Sequence, residues 1–193
     1  MARTSGIAVL LSIVISAAVL SAGYFGFSFD ASKPSFSVGC KTAPNNCGNA
    51  NYAVYFCPQD DCDGALISEI NSAKTSIHAA VYSLTLDGIS DALIAAHNRG
   101  VDVKIVMDKE QASSQYSDFR KLKDAGVDVR VDGNSNYMHN KFAVIDGKTV
   151  TTGSYNWTDH ATNGNDENEL IISSETLAAQ YEKDFQRIYA EAS

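Results

Sequence analysis

His139-Asn140-Lys141-Phe142-Ala143-Val144-Ile145-Asp146-Gly147-Lys148-Thr149-Val150-Thr151-Thr152-Gly153-Ser154-Tyr155-Asn156 is the most informative stretch of this chain. Two β-prone runs, 142–145 and 149–152, flank Asp146-Gly147, a dipeptide suited to a tight hairpin turn. On a strand, side chains at i and i+2 share a face, so His139 and Lys141 point together while Asn140 points away. Phe142 and Val144 supply buried support, and the Asp146 carboxylate bonds local backbone at the turn. Gly153 lets the chain approach closely, placing Ser154 and Asn156 as short hydrogen-bonding groups.

Upstream of this hairpin, strand and helix patterns alternate. Residues 101–107 (VDVKIVM) and 127–131 read as strands, separated by a helix near 114–124 that ends at Gly126. Asp87 is placed to cap a helix carrying Ile89, Leu93, Ile94 and His97, closed by Gly100. Residues 76–82 are β-rich, Ala65, Leu66, Ile70 and Ala73 recur at helical spacing, and NYAVYF from Asn51 opens the domain as a strand. Downstream, 169–173 reads as a late strand, and a last helix from Ser174 shows Leu177, Tyr181, Phe185 and Ile188 on one face. The pattern predicts an α/β fold, a mixed β-sheet flanked by helices over residues 51–193.

Residues 1–29 carry no charge beyond Arg3, and apolar side chains crowd 7–20 (IAVLLSIVISAAVL). A cleaved secretory signal, an uncleaved membrane anchor and a buried hydrophobic helix all fit. Arg3 on the near flank favours an extracytoplasmic domain, either membrane-anchored or secreted and periplasmic. Residues 30–50, rich in Ser, Pro, Asn and Gly, read as a Cys-containing linker. Cys40, Cys47, Cys57 and Cys62 are candidates for two disulfides; a zinc site or free thiols are the alternatives. The net charge of −8 argues against a broad electrostatic footprint on nucleic acid, though not against a small phosphate site.

His139, Lys141, Ser154 and Asn156 suit a phosphodiester. An imidazole serves as nucleophile or general base near neutral pH. An ammonium neutralises non-bridging oxygens, hydroxyl and amide groups complete the cradle, and nothing in the set requires a metal or another cofactor. Other candidates have plainer readings. His78, His97 and His160 suit packing or surface, His160 alternatively a peripheral substrate contact. Glu167, beside Asp166 and Glu169, fits a solvated acidic loop equally. Asp60, Asp61 and Asp63 lack a calcium-loop pattern and read as a surface turn. Asn156-Trp157-Thr158 matches a glycosylation sequon formally, but modification there would block the cradle. Tyr155 and Trp157 either stack on a base or pack inward.

The string H-x-K-x₄-D-x₆-G-S-x-N, complete from His139 to Asn156, resembles the signature of the phospholipase D superfamily. The resemblance runs over 51–193, includes 72–77 (SAKTSI), 99–105 (RGVDVKI) and 165–168 (NDEN), and is nearest to small single-motif members. Those are the bacterial Nuc endonuclease and the mitochondrial Zucchini-type nuclease or cardiolipin hydrolase. It implies that His139 attacks phosphorus to form a phosphohistidine, that Lys141, Ser154 and Asn156 bind phosphate oxygens, and that Asp146 is mainly architectural. Glu167 would hydrogen-bond the histidine. Such enzymes use two histidines, and this chain has one full motif; His97-Asn98-Arg99 lacks the lysine. A two-fold homodimer sharing the active site is therefore implied.

These readings lead to three expectations. The first is a metal-independent endonuclease acting on DNA or RNA. The second is a phospholipase D-type hydrolase of phospholipid head groups, met through a membrane-held N-terminal segment. The third is a nucleic-acid-binding module without catalysis.

Overall fold

The computed structural model describes residues 51–193. The expectations for the segments 1–29 and 30–50, with Cys40 and Cys47, lie outside the described residues.

One seven-stranded sheet organises the domain. In chain order the elements are β1 (Asn51–Cys57), α1 (Cys62–Ser72), β2 (Ser76–Val81), α2 (Asp87–Asn98), β3 (Asp102–Met107), α3 (Lys109–Ala112), α4 (Phe119–Asp124), β4 (Asp128–Val131), β5 (Lys141–Ile145), β6 (Thr149–Gly153), α5 (Asp159–Asn163), β7 (Glu167–Ser173) and α6 (Glu175–Glu191). Strand order is β1-β7-β6-β5-β2-β3-β4. The β2-β3-β4 half is parallel and the β2-β5-β6-β7-β1 half antiparallel, as the switch from helix-linked strands to a hairpin predicts. Strand β5 sits at the sheet centre, and all five of its residues are buried.

Each face of the sheet is covered for a different reason. Helices α1 and α2 place Leu66, Ile70, Ile89 and Leu93 on Ile77, Ile105 and Ala143. Among the described residues the other face is covered by α6, through Ala178, Phe185 and Ile188 against Ala80, Val106, Phe142, Val144 and Val150, with Met138 beside them. Ser174 caps α6 by accepting from the Leu177 N–H. His78 belongs to this packing: it stacks on Phe185 and bonds Glu182 at 2.8 Å. Cys57 and Cys62 form a disulfide between β1 and α1.

Several local expectations are corrected. Asp87 is the first residue of α2 and makes no cap; its carboxylate accepts from Lys121 instead. The helix expected near 114–124 is shorter, α4 covering only 119–124, and a separate α3 lies upstream, started by the buried Asp108, which accepts from the Glu110 and Gln111 N–H groups. Trp157 and Tyr155 are fully buried, so neither is available to a base. Asp60 and Asp61 are used as turn and helix-cap acceptors, for Phe56 N–H and Gly64 N–H. No helix among the described residues is long and apolar enough to cross a membrane.

Candidate active site

The site lies at the end of the sheet where β5 begins. His139 stands two residues before Lys141, the first residue of β5, so it occupies the extended approach to the strand. The i, i+2 relation holds there. The Lys141 ammonium donates to His139 Nδ1 at 3.1 Å and to the His139 carbonyl at 2.9 Å. Only 7% of Lys141 is exposed. Burial lowers its pKa below that of an ordinary lysine, while the negative charges of Glu167 and Asp108 restore part of the loss. An ammonium held under such restraint is oriented before any anion arrives.

The approach to β5 is fixed by a carboxylate not singled out in the sequence. Asp108, at the end of β3, accepts from the Met138 N–H at 3.1 Å while capping α3. Asp132, after β4, does the same for Lys109 and Asn134. An Asp before Lys-Glu-Gln is an N-cap pattern, and that was the available signal for Asp108. Tyr82 carried no signal, since it ends a run that reads as core. Its ring nevertheless lies 4.4 Å from that of His139 and 4.9 Å from the Lys141 ammonium.

The β6 end supplies the other wall. A Cβ on Gly153 would lie 2.0 Å from the Asn168 carbonyl oxygen, so only glycine lets β6 and β7 close here. Ser154 is exposed, and its hydroxyl donates to Glu167 at 2.5 Å while accepting from the Asn168 N–H. Glu167 also accepts from Asn165 at 3.0 Å. Its carboxylate is thus engaged by Ser154 and Asn165, and not by the histidine that the family resemblance implies. Asn156 is half-buried, and its Oδ1 has no hydrogen-bond partner among the described residues.

Asp146 belongs to the opposite end of β5. It does not bond its own turn. It accepts from the N–H groups of Lys74, Thr75 and Ser76 and from the Thr75 hydroxyl, which ties the hairpin to the loop before β2. Burial alone would raise its pKa, but these donors outweigh it and hold the carboxyl below the usual range. Asp146 itself sits at φ 53°, a left-handed conformation that Asp tolerates. Its place is architectural. The rejected His97 and Arg99 are remote in function too, since Arg99 donates to the carbonyls of Ile70 and Asn71.

A cavity of about 310 Å³, lined by His139, Lys141, Thr152, Gly153, Gln180 and Tyr181 among others, opens beside the pair. A second, of about 430 Å³, reaches His139 from the side of Tyr137 and Arg187. The histidine lines both. The first is also lined by Asn140, Phe142 and the Asp184 carboxylate. No group of three metal-ligating side chains occurs among the described residues.

The family described as "Cardiolipin synthase, PLD-like domain" matches residues 66–189. A mitochondrial cardiolipin hydrolase of Chlamydomonas reinhardtii is 39% identical over 120 residues, covering 62% of this chain and 54% of that protein. A phospholipase D of Rickettsia typhi is 35% identical over 131 residues, covering 68% of this chain and 64% of the other. The chain therefore spans about half to two thirds of these relatives' lengths. Among solved structures, a phospholipase D family member, Nuc from Salmonella typhimurium, superimposes with a TM-score of 0.72 at 34% identity, over 75% of this chain and 97% of that one.

Proposed function

Because the chain belongs to the family described as cardiolipin synthase, PLD-like domain, we propose that it is a phosphodiesterase whose substrate is a nucleic acid, cut as an endonuclease through a phosphohistidine. One observation carries the reading: the Lys141 ammonium and the His139 imidazole meet at 3.1 Å, within reach of the charge of Glu167, which holds the Ser154 hydroxyl. Phosphate arriving at that pair draws the ammonium onto its non-bridging oxygens and leaves an imidazole nitrogen facing phosphorus. That nitrogen forms the P–N bond as the P–O bond to the leaving alcohol breaks. The alkoxide takes a proton from the twin histidine of a second copy, which then removes a proton from the water that hydrolyses the P–N bond. Ser154 and Asn156 would serve the remaining oxygens. The two-fold homodimer follows from the need for that second histidine.

The nuclease reading draws on the resemblance to the bacterial endonuclease and on the polar groups around His139 among the described residues. The names of the curated relatives, cardiolipin hydrolase and phospholipase D, favour a lipid phosphodiester as the second reading. In that case residues 1–29 would hold the domain at a membrane.

The deciding experiment incubates the purified protein with plasmid, single-stranded DNA, RNA and cardiolipin vesicles in excess EDTA. Cleavage of nucleic acid supports the first reading. Turnover of lipid alone replaces it with the second. Light scattering of the active protein tests the dimer, which an active monomer would rule out.

A further inference from the structure

Tyr82 continues β2 by one residue beyond the ladder, its N–H donating to the Asn140 carbonyl at 2.7 Å. This bond fixes its ring over the two residues on either side of Asn140. The ring centroid lies 4.4 Å from that of His139, tilted by 50°, and Lys141 Nζ stands 4.9 Å from its centre. The Tyr82 hydroxyl accepts from Gln111 Nε2 at 3.2 Å, and Tyr137 closes on the ring edge-on at 5.9 Å. The ring is therefore held from both ends and touches both members of the pair.

We propose that Tyr82 is a positioning residue for the phosphodiester reaction, its π face holding the Lys141 ammonium in its charged form against His139. The inference rests on the reading of the site as a phosphodiesterase. The physical reason is a balance. Lys141 is buried, which disfavours its charge. A neighbouring π face favours that charge without offering an anion that would compete with phosphate for it. Glu167 from β7 and Asp108 from the end of β3 face the same ammonium, and His139 accepts one of its protons. Tyr82, like the His139 carbonyl that accepts from the ammonium at 2.9 Å, is attractive and non-ionic, and its ring face is unable to accept a phosphoryl group.

The test changes the ring's electrons without changing its shape. Tyr82→Phe removes the Gln111 contact and keeps the face. Phenylalanines carrying one, two and three ring fluorines at the same position then weaken the face stepwise. The Lys141 titration midpoint is followed by ¹³Cε-lysine NMR, and kcat and KM are measured with bis(p-nitrophenyl) phosphate. Tyr82→Phe should stay within about twofold of the parent kcat. The fluorinated series should lower the midpoint and the alkaline limb of kcat step by step, and Tyr82→Leu should lose about tenfold in kcat at unchanged KM. A midpoint and kcat that ignore fluorination overturn the proposal, even if Tyr82→Leu fails to fold. An inactive parent protein would instead overturn the phosphodiesterase reading, and the NMR series would still decide whether Tyr82 holds the lysine's charge.

Discussion

Lys141 and His139 form a donor–acceptor pair at 3.1 Å whose lysine is almost wholly buried. The ammonium that meets His139 Nδ1 is therefore held in place before any anion competes for it. Burial supplies the orientation, and it also makes the lysine easier to deprotonate.

The first prediction concerns that lysine. With its pKa below the ordinary value, the alkaline limb of the rate should begin below the ~10.4 of a free lysine. Lys141→Met should lower kcat by about 10²–10³, the usual cost of losing a charge-stabilising donor. His139→Asn should abolish turnover with the fold unchanged by circular dichroism. Retained activity in the latter would remove the nucleophile.

A second prediction separates architecture from chemistry at Asp146. Asn keeps the size and tolerates the positive φ, so Asp146→Asn isolates the charge. Loss of a charged acceptor for three backbone N–H groups should cost about 2 kcal/mol, allowing for partial exposure. The folded pKa is depressed, so this stability is present above the unfolded pKa near 3.9 and is lost as pH falls through the folded one. Urea denaturation should therefore show a gap between parent and variant at pH 7 that closes toward pH 2. Equal gaps at both pH values would contradict the charge as its source.

Glu169 leads to a prediction of opposite sign. It is fully buried on β7, neither carboxylate oxygen has a hydrogen-bond partner among the described residues, and burial raises its pKa from 4.5 to about 8. The folded state thus keeps a proton that the unfolded chain releases, and stability falls between pH 4.5 and about 8 by at most ~1.4 kcal/mol per unit. Glu169→Gln should flatten that decline and be the more stable form at pH 8 and above. Parallel denaturation curves at pH 5 and pH 8.5 for the two proteins would show that the carboxyl is not held neutral.

Gly153→Ala tests the closure of β6 on β7. Its Cβ would fall within 2.0 Å of the Asn168 oxygen, so the strands must part and carry Ser154 with them. A loss of about 1–3 kcal/mol is expected, together with loss of activity greater than that of Ser154→Ala. A stable, fully active variant would mean the strand pair can relax without moving the site.

Much of this protein was readable in its sequence because the deciding features are periodic or local. Alternation in VDVKIVM, the Asp146-Gly147 turn, the face of α6 and the i, i+2 relation of His139 to Lys141 depend on backbone geometry within a few residues. Asp108 has a local signal too, an Asp before Lys-Glu-Gln, although the helix expected near 114–124 begins downstream of it.

What the tertiary structure alone decided was set by strand pairing between segments far apart in the chain. Pairing β2 with β5 delivers Asp146 to Lys74, Thr75 and Ser76, some seventy residues away, where spacing suggested its own turn. The same pairing lays Tyr82 against His139 and Lys141, and no periodicity links position 82 to 139. Closure of β6 on β7 commits Glu167 to Ser154 and Asn165, and packing under α1 and α2 turns Tyr155 and Trp157 inward. A chain's local pattern says which face a side chain takes; only the order of strands in the sheet says what that face will meet.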